Sequence, residues 1–173
     1  MKRRDLKCLS FQTRKDNKGF SLVELVIVIA ILAILVGILA PQYTKYVEKT
    51  RKAADASNMD EMVKVVKVYA ADPANELAAG TYTIITNDTE TTVSNCPKGL
   101  KAELDASIPN WTATTTKSKK WSADGKATSI IAYVTVNAEG GTSVTYATGD
   151  VATDTANNKF AQYMSSGEAK AKE

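Results

Sequence analysis

The chain has 173 residues, 22 Lys and Arg against 19 Asp and Glu, and a formal charge of +3. It has no histidine, which excludes histidine general-base catalysis and histidine metal sites. Overall basicity is no argument for a nucleic-acid partner, because residues 1–19 carry seven Lys and Arg against Asp5 and Asp16, a net +5, and the remainder of the chain stands at −2.

Residues 1–18 are polar and basic, with no amphipathic period. From Phe20 to Ala40 the only charge is Glu24, and the stretch is otherwise an apolar run. As a helix these 21 residues rise about 31 Å, close to the roughly 30 Å hydrocarbon core of a bilayer. The pattern predicts one membrane-spanning helix with a carboxylate near its start. The basic residues ahead of the run outnumber Lys45, Lys49, Arg51 and Lys52 that follow it, which favours a cytoplasmic N-terminus. Secretory cleavage after the run is disfavoured: Ile38 stands where a small residue is required, and Pro41 follows Ala40 directly. A carboxylate in such a segment costs about 2.5–3.5 kcal/mol at the helix centre and less near an end. Glu24 therefore either finds a partner or sits solvated among headgroups.

Helical spacing continues past the run. Tyr43, Val47, Ala54, Ser57, Met62, Val65 or Val66, and Tyr69 form a stripe of apolar and small residues, with charged residues such as Glu48, Lys52 and Asp55 mostly on other faces. Asp72-Pro73 ends the helix, because proline disfavours helix at the residue before it. From Phe20 to Ala71 there are 52 residues, about 78 Å of unbroken helix. That is too long to bury in a domain of this size, so the first half must lie in a membrane or against other helices. Pro41 offers no N–H to the carbonyl of Gly37, which predicts a kink or a locally melted turn at Gly37–Pro41.

After Pro73 the composition shifts to Thr, Ala, Ser, Asn and Gly. Thr81–Thr86 is predicted as a short strand or extended loop, Pro97–Leu104 as one or two helical turns, and Trp111–Thr116 as extended. Asp124-Gly125 signals a turn. Thr128–Asn137 is the strongest strand pattern, and Thr142–Ala147 pairs back on it through Glu139-Gly140-Gly141. Phe160–Met164 is predicted as a final helical turn. The order is α+β: a long helix whose distal half packs on a small antiparallel sheet, with Met62, Val66 and Tyr69 meeting Ile131, Tyr133, Val144 and Tyr146.

Lys18-Gly19-Phe20-Ser21-Leu22-Val23-Glu24 and the apolar run behind it closely resemble the class III signal of type IV pilins and pseudopilins. Two features depart from that pattern: Ser21 replaces the commoner Thr, and the leader of 19 residues is longer than is usual before Phe. The resemblance implies cleavage between Gly19 and Phe20 by a membrane-embedded prepilin peptidase, N-methylation of Phe20, and polymerisation through the apolar helix by an assembly platform and its ATPase. The chain then divides into a cleaved leader (1–19), a transmembrane and filament-core half-helix (20–41), an amphipathic half-helix (42–71) and a pilin-like head (72–173). The α-amino group made on Phe20 gives Glu24 of a neighbouring subunit a partner and sets the axial register; Glu24, Gly37 and Pro41 are thus the candidate assembly residues. Cys8 leaves with the leader. Cys96 remains alone and reads as a partly buried small residue; without a C-terminal disulfide the chain fits a bacterium with a single membrane.

The implied function is a structural subunit of a type IV pilus, serving adhesion, motility or biofilm formation. Its partners are copies of itself in a helical filament and, before assembly, membrane lipid. One alternative is a pseudopilin of a type II secretion or competence system. Another is a single-span membrane-anchored binding protein. Lys117, Lys119 and Lys120 near Trp111 and Trp121 combine cations with aromatic faces, as single-stranded nucleic-acid contacts do, and equally fit a solvated loop tip. Asp150, Asp154 and Asn157 lack the spacing of a calcium loop. No nucleophile–base pair or phosphate loop stands out, so no catalytic residue, cofactor or metal ligand is assigned.

Overall fold

The computed structural model describes residues 21–75, 77–121, 129–149 and 158–166. The Asp124-Gly125 turn and the Asp150, Asp154 and Asn157 group lie outside them. The chain divides into two units, one ending at Tyr43 and the other starting at Thr44.

Helix α1 runs from Leu22 to Ala71. It stays helical through Gly37 and Pro41, so the monomer has no melted turn there. The missing Pro41 N–H costs one backbone bond, and the long helical run on either side keeps the rest of the ladder. The end at Ala71 is where Asp72-Pro73 places it. There the Asp72 carboxylate accepts the Ala74 N–H at 2.9 Å, and the Asn75 amide donates to the Tyr69 carbonyl at 3.3 Å.

In the second unit α1 buries Asp55, Ala56, Met59, Met62, Val63, Val66 and Ala70. Their spacing is helical, but the face is rotated from the predicted stripe. Ala54 and Ser57 are not buried, while Met59, Val63 and, unexpectedly, the charged Asp55 are. The two methionines and two valines are fully buried, and each such side chain contributes about 1.5–3 kcal/mol of transfer free energy.

The sheet has four antiparallel strands in the order β2-β1-β3-β4: β1 Gly80–Thr86, β2 Thr91–Ser94, β3 Ile130–Val136 and β4 Thr142–Thr148. Strands β1, β3 and β4 fall where sequence predicts them. The short β2 has no apolar alternation and is a strand because it pairs with β1, Ile84 opposite Val93. The predicted face of β3 is off by one residue. Ile130, Ala132, Val134 and Val136 join the core shared with α1, whereas Ile131 and Tyr133 do not. A strand whose two faces are both apolar leaves that choice to its neighbours. Val144 and Tyr146 of β4 do pack against the core, as predicted.

Helix α2 spans Lys98–Ser107 and buries Leu100 and Leu104. Trp111–Ala113, predicted as extended, is a turn of 3-10 helix entered through Asn110 at φ 61°. The β3–β4 turn passes close to the end of α1. Gly140 there has φ 77°, and a Cβ on it would stand 3.0 Å from the Ala70 carbonyl oxygen, so both conformation and space call for glycine. Helix α3, Lys159–Ser166, begins at the buried Asn158. The Asn158 side chain accepts the Ala161 N–H at 3.0 Å and donates to the Tyr146 carbonyl at 2.9 Å, so one residue caps α3 and ties it to β4. The pilin-like α+β arrangement expected from sequence is the one observed.

Candidate functional site

The start of α1 is built by its own four residues. The Val23 N–H donates to Ser21 Oγ at 3.3 Å, and the Glu24 carboxylate accepts the Ser21 N–H at 2.8 Å. This reciprocal pattern is a capping box. It satisfies backbone donors that a helix start leaves unpaired, and it puts a negative charge at the positive end of the helix dipole. Within one chain, then, Glu24 is neither idle nor unpartnered: it closes the first turn. Both bonds are exposed, so the carboxylate stays accessible to a second donor. Gly19 and Phe20 lie outside the described residues.

Behind the cap, the large apolar side chains from Leu22 to Leu39 are all exposed. None of this stretch is buried, and by length and composition the helix can cross a membrane. An 18-residue window that is apolar on every face and covered on none is incompatible with water. Gly37 has no atom within 4 Å of where a Cβ would stand, so nothing inside this chain requires glycine there.

Residues 14–40 match the prokaryotic N-terminal methylation motif.

They carry the class III signal of type IV pilin-like proteins. Together the class III signal and the long apolar helix fit a membrane-anchored prepilin. No curated protein and no solved structure matches the chain.

A second constellation was not anticipated from sequence. The Asp55 carboxylate, 2% exposed, accepts three hydrogen bonds from one short loop: the Lys117 N–H at 2.6 Å, the Ser118 N–H at 2.9 Å and the Trp121 indole N–H at 2.9 Å. Two helical turns earlier, Glu48 accepts the Ser118 hydroxyl. A buried carboxylate is tolerated because its oxygens are fully engaged. The signal for it was the spacing Asp55, Met59, Met62, Val66, which puts the acid on the buried face. This clamp settles the geometry of the basic-aromatic cluster. Trp121 is 0% exposed and Trp111 4%; Trp111 donates to Asp105 at 2.8 Å. Neither indole face is free to stack on a base.

Cys96, the free cysteine among the described residues, is half-buried, and burial raises its thiol pKa. Such a thiol is poorly nucleophilic, consistent with a packing role.

Proposed function

We propose that this chain is a structural subunit of a type IV pilus. It is inserted as a prepilin, cut between Gly19 and Phe20, methylated on Phe20, and polymerised through its apolar helix into a surface filament. The coarser statement, a type IV pilin-like or pseudopilin protein, rests on the class III signal at residues 14–40. Proteins of this kind are structural rather than enzymatic.

The observation that carries the finer reading is the bare first unit. Every large apolar side chain from Leu22 to Leu39 is exposed, so the helix needs neighbours all round, first lipid and then other copies. In the polymer, Glu24 of one subunit takes the Phe20 amine of the next while its other oxygen keeps the capping bond to Ser21. Two costly charges offset one another, and the pair fixes the axial offset of successive helices.

The test is mass spectrometry of material sheared from the cell surface. Abundant filaments of a chain beginning at N-methyl-Phe20 are the expected result. Processed chains that stay with the envelope and never shear off would favour the pseudopilin reading. Membrane-bound chains that keep Met1–Gly19 would sink both and leave a single-span anchored protein.

A further inference from the structure

The chain has seven tyrosines, and five of them pack. Tyr82 is buried in the head core, Tyr69, Tyr146 and Tyr163 are half-buried against that core, and Tyr133 is half-buried on the sheet. Tyr43 and Tyr46 are the exceptions, 69% and 70% exposed. Every other exposed residue from Gln42 to Arg51 is polar, so the two bare rings stand out from the surface around them. A phenol ring is a large apolar body with one polar tip, and on these two most of that body is uncovered.

Their place in the chain indicates what covers them. They follow Ala40, the last residue of the apolar run, by three and six residues. At 1.5 Å per residue their Cα atoms stand about 4.5 and 9 Å beyond the run. The run fills the roughly 30 Å hydrocarbon core, and the interfacial layer on each side adds about 5–7.5 Å. Helical side chains lean toward the N-terminus and cover the turn before their own Cα. Both rings therefore reach back toward the run and come to rest in that layer, where the ring meets acyl chains and the hydroxyl meets water and headgroups.

We propose that Tyr43 and Tyr46 form an interfacial anchor, with the lipid surface as their partner, on the side of the bilayer away from the N-terminus. The apolar run is uniform along its length and carries no mark of its own that sets its depth; the two rings supply one. The consequence falls at the opposite boundary. Glu24 lies 19 residues before Tyr43, about 28 Å along the helix. An anchor at one face of the core thus delivers the Glu24 carboxylate and its capping box to the other face instead of leaving them in hydrocarbon. The inference rests on the apolar run spanning a bilayer and is independent of whether the chain polymerises.

The test uses the full chain in phosphatidylcholine vesicles. Tyr43→Trp and Tyr46→Trp, made singly, are quenched with lipids brominated either next to the glycerol esters or near the acyl-chain ends. Trp111 and Trp121 are buried in the head, so the parent chain gives the background. Each added indole should be quenched about twofold or more better by the shallow bromine than by the deep one. Depth is read separately from a nitroxide on Leu39→Cys, in a chain with Cys8→Ser and Cys96→Ser, by its collisions with oxygen and with a water-soluble nickel chelate. Tyr43→Ser with Tyr46→Ser should move that label by about one helical turn, ~5 Å. Tyr43→Trp with Tyr46→Trp should leave it in place, and so should Tyr133→Ser in the head. Indoles that neither bromine quenches, or that the deep one quenches better, overturn the anchor, as does a Leu39 depth unmoved by the double serine variant. Quenching that disappears as more chain is added per lipid assigns the rings to a second copy and overturns the lipid partner. A second nitroxide, on Leu32→Cys, separates the two readings. If it meets the nickel chelate and not oxygen, the run does not span and both fall; if it lies in hydrocarbon while the anchor tests fail, the spanning reading stands alone.

Discussion

From Leu22 to Leu39 the large apolar side chains of α1 are all exposed, the best covered being Leu35 at 47%, whereas from Asp55 to Ala70 the same helix buries seven residues. Backbone geometry is common to both stretches; what differs is pattern. The first is apolar on every side, so it selects no face and no partner within its own chain. The second is striped, and the stripe selects a face for the sheet. A helix that is apolar all round specifies insertion; a helix that is apolar along one side specifies a fold. The two acids repeat the contrast. Glu24 is exposed and bonds its own turn, while Asp55 is buried and bonds a loop 62 to 66 residues away.

Exchanging each acid breaks the comparison at its strongest point. On the proposed pairing, Glu24→Ala should abolish sheared filaments while cleavage after Gly19 continues, because it would strand the Phe20 amine at each subunit contact at a cost of about 3–5 kcal/mol. Glu24→Gln sharpens this: it can still close the capping turn but carries no charge. Filaments from the Gln variant, seen by electron microscopy, would show that capping rather than ion pairing is what assembly needs. Asp55→Ala should do the opposite, lowering head stability by about 3 kcal/mol because three donors lose a charged acceptor. Denaturant unfolding of the detergent-solubilised chain, read by Trp121 emission, would register that loss, and Glu24→Ala should leave the same curve in place.

Gly140→Ala should cost about 1–2 kcal/mol in that assay, through its positive φ and the Ala70 carbonyl. The smallest effect is expected from Lys52→Met. The native Lys52 pKa lies below the ordinary lysine value, chiefly through burial. Between that lowered value and the ordinary one the unfolded chain binds more protons, so head stability rises with pH across the window. Lys52→Met should flatten that rise in unfolding curves taken at successive alkaline pH values.

Residues 22–43 were legible in sequence as a helix able to cross a membrane because that information is local, a length, a composition and one charge, while the melted turn expected at Gly37–Pro41 did not appear. The capping box could also have been read from Ser21 and Glu24, three residues apart. The head was legible as elements and less so as faces. Helix α1 and strand β3 each offer apolar residues on adjoining positions, Val65 and Val66, Ile130 and Ile131, and periodicity alone does not say which one is buried more deeply. Strand β2 carries no pattern of its own, and its existence depends on β1 lying alongside. The Asp55 clamp was hidden for a further reason. Aspartate is ordinarily a surface residue, and two of the three donors that permit its burial are backbone N–H groups, which have no sequence signature.

The clamp also orders events in time. Asp55 and Trp121 are 66 residues apart, and the segment between them contains β1, β2 and α2 entire. Closing so long a loop costs entropy that short loops avoid, and contacts of that separation form slowly. The β3–β4 hairpin lies beyond the loop and needs no such closure. On sequence separation alone, the hairpin forms before the loop fastens to the helix. Until the loop and the helix meet, the Trp121 ring lacks its carboxylate and Lys52 lacks its aromatic seat, so both contacts belong only to a head whose distant segments have closed.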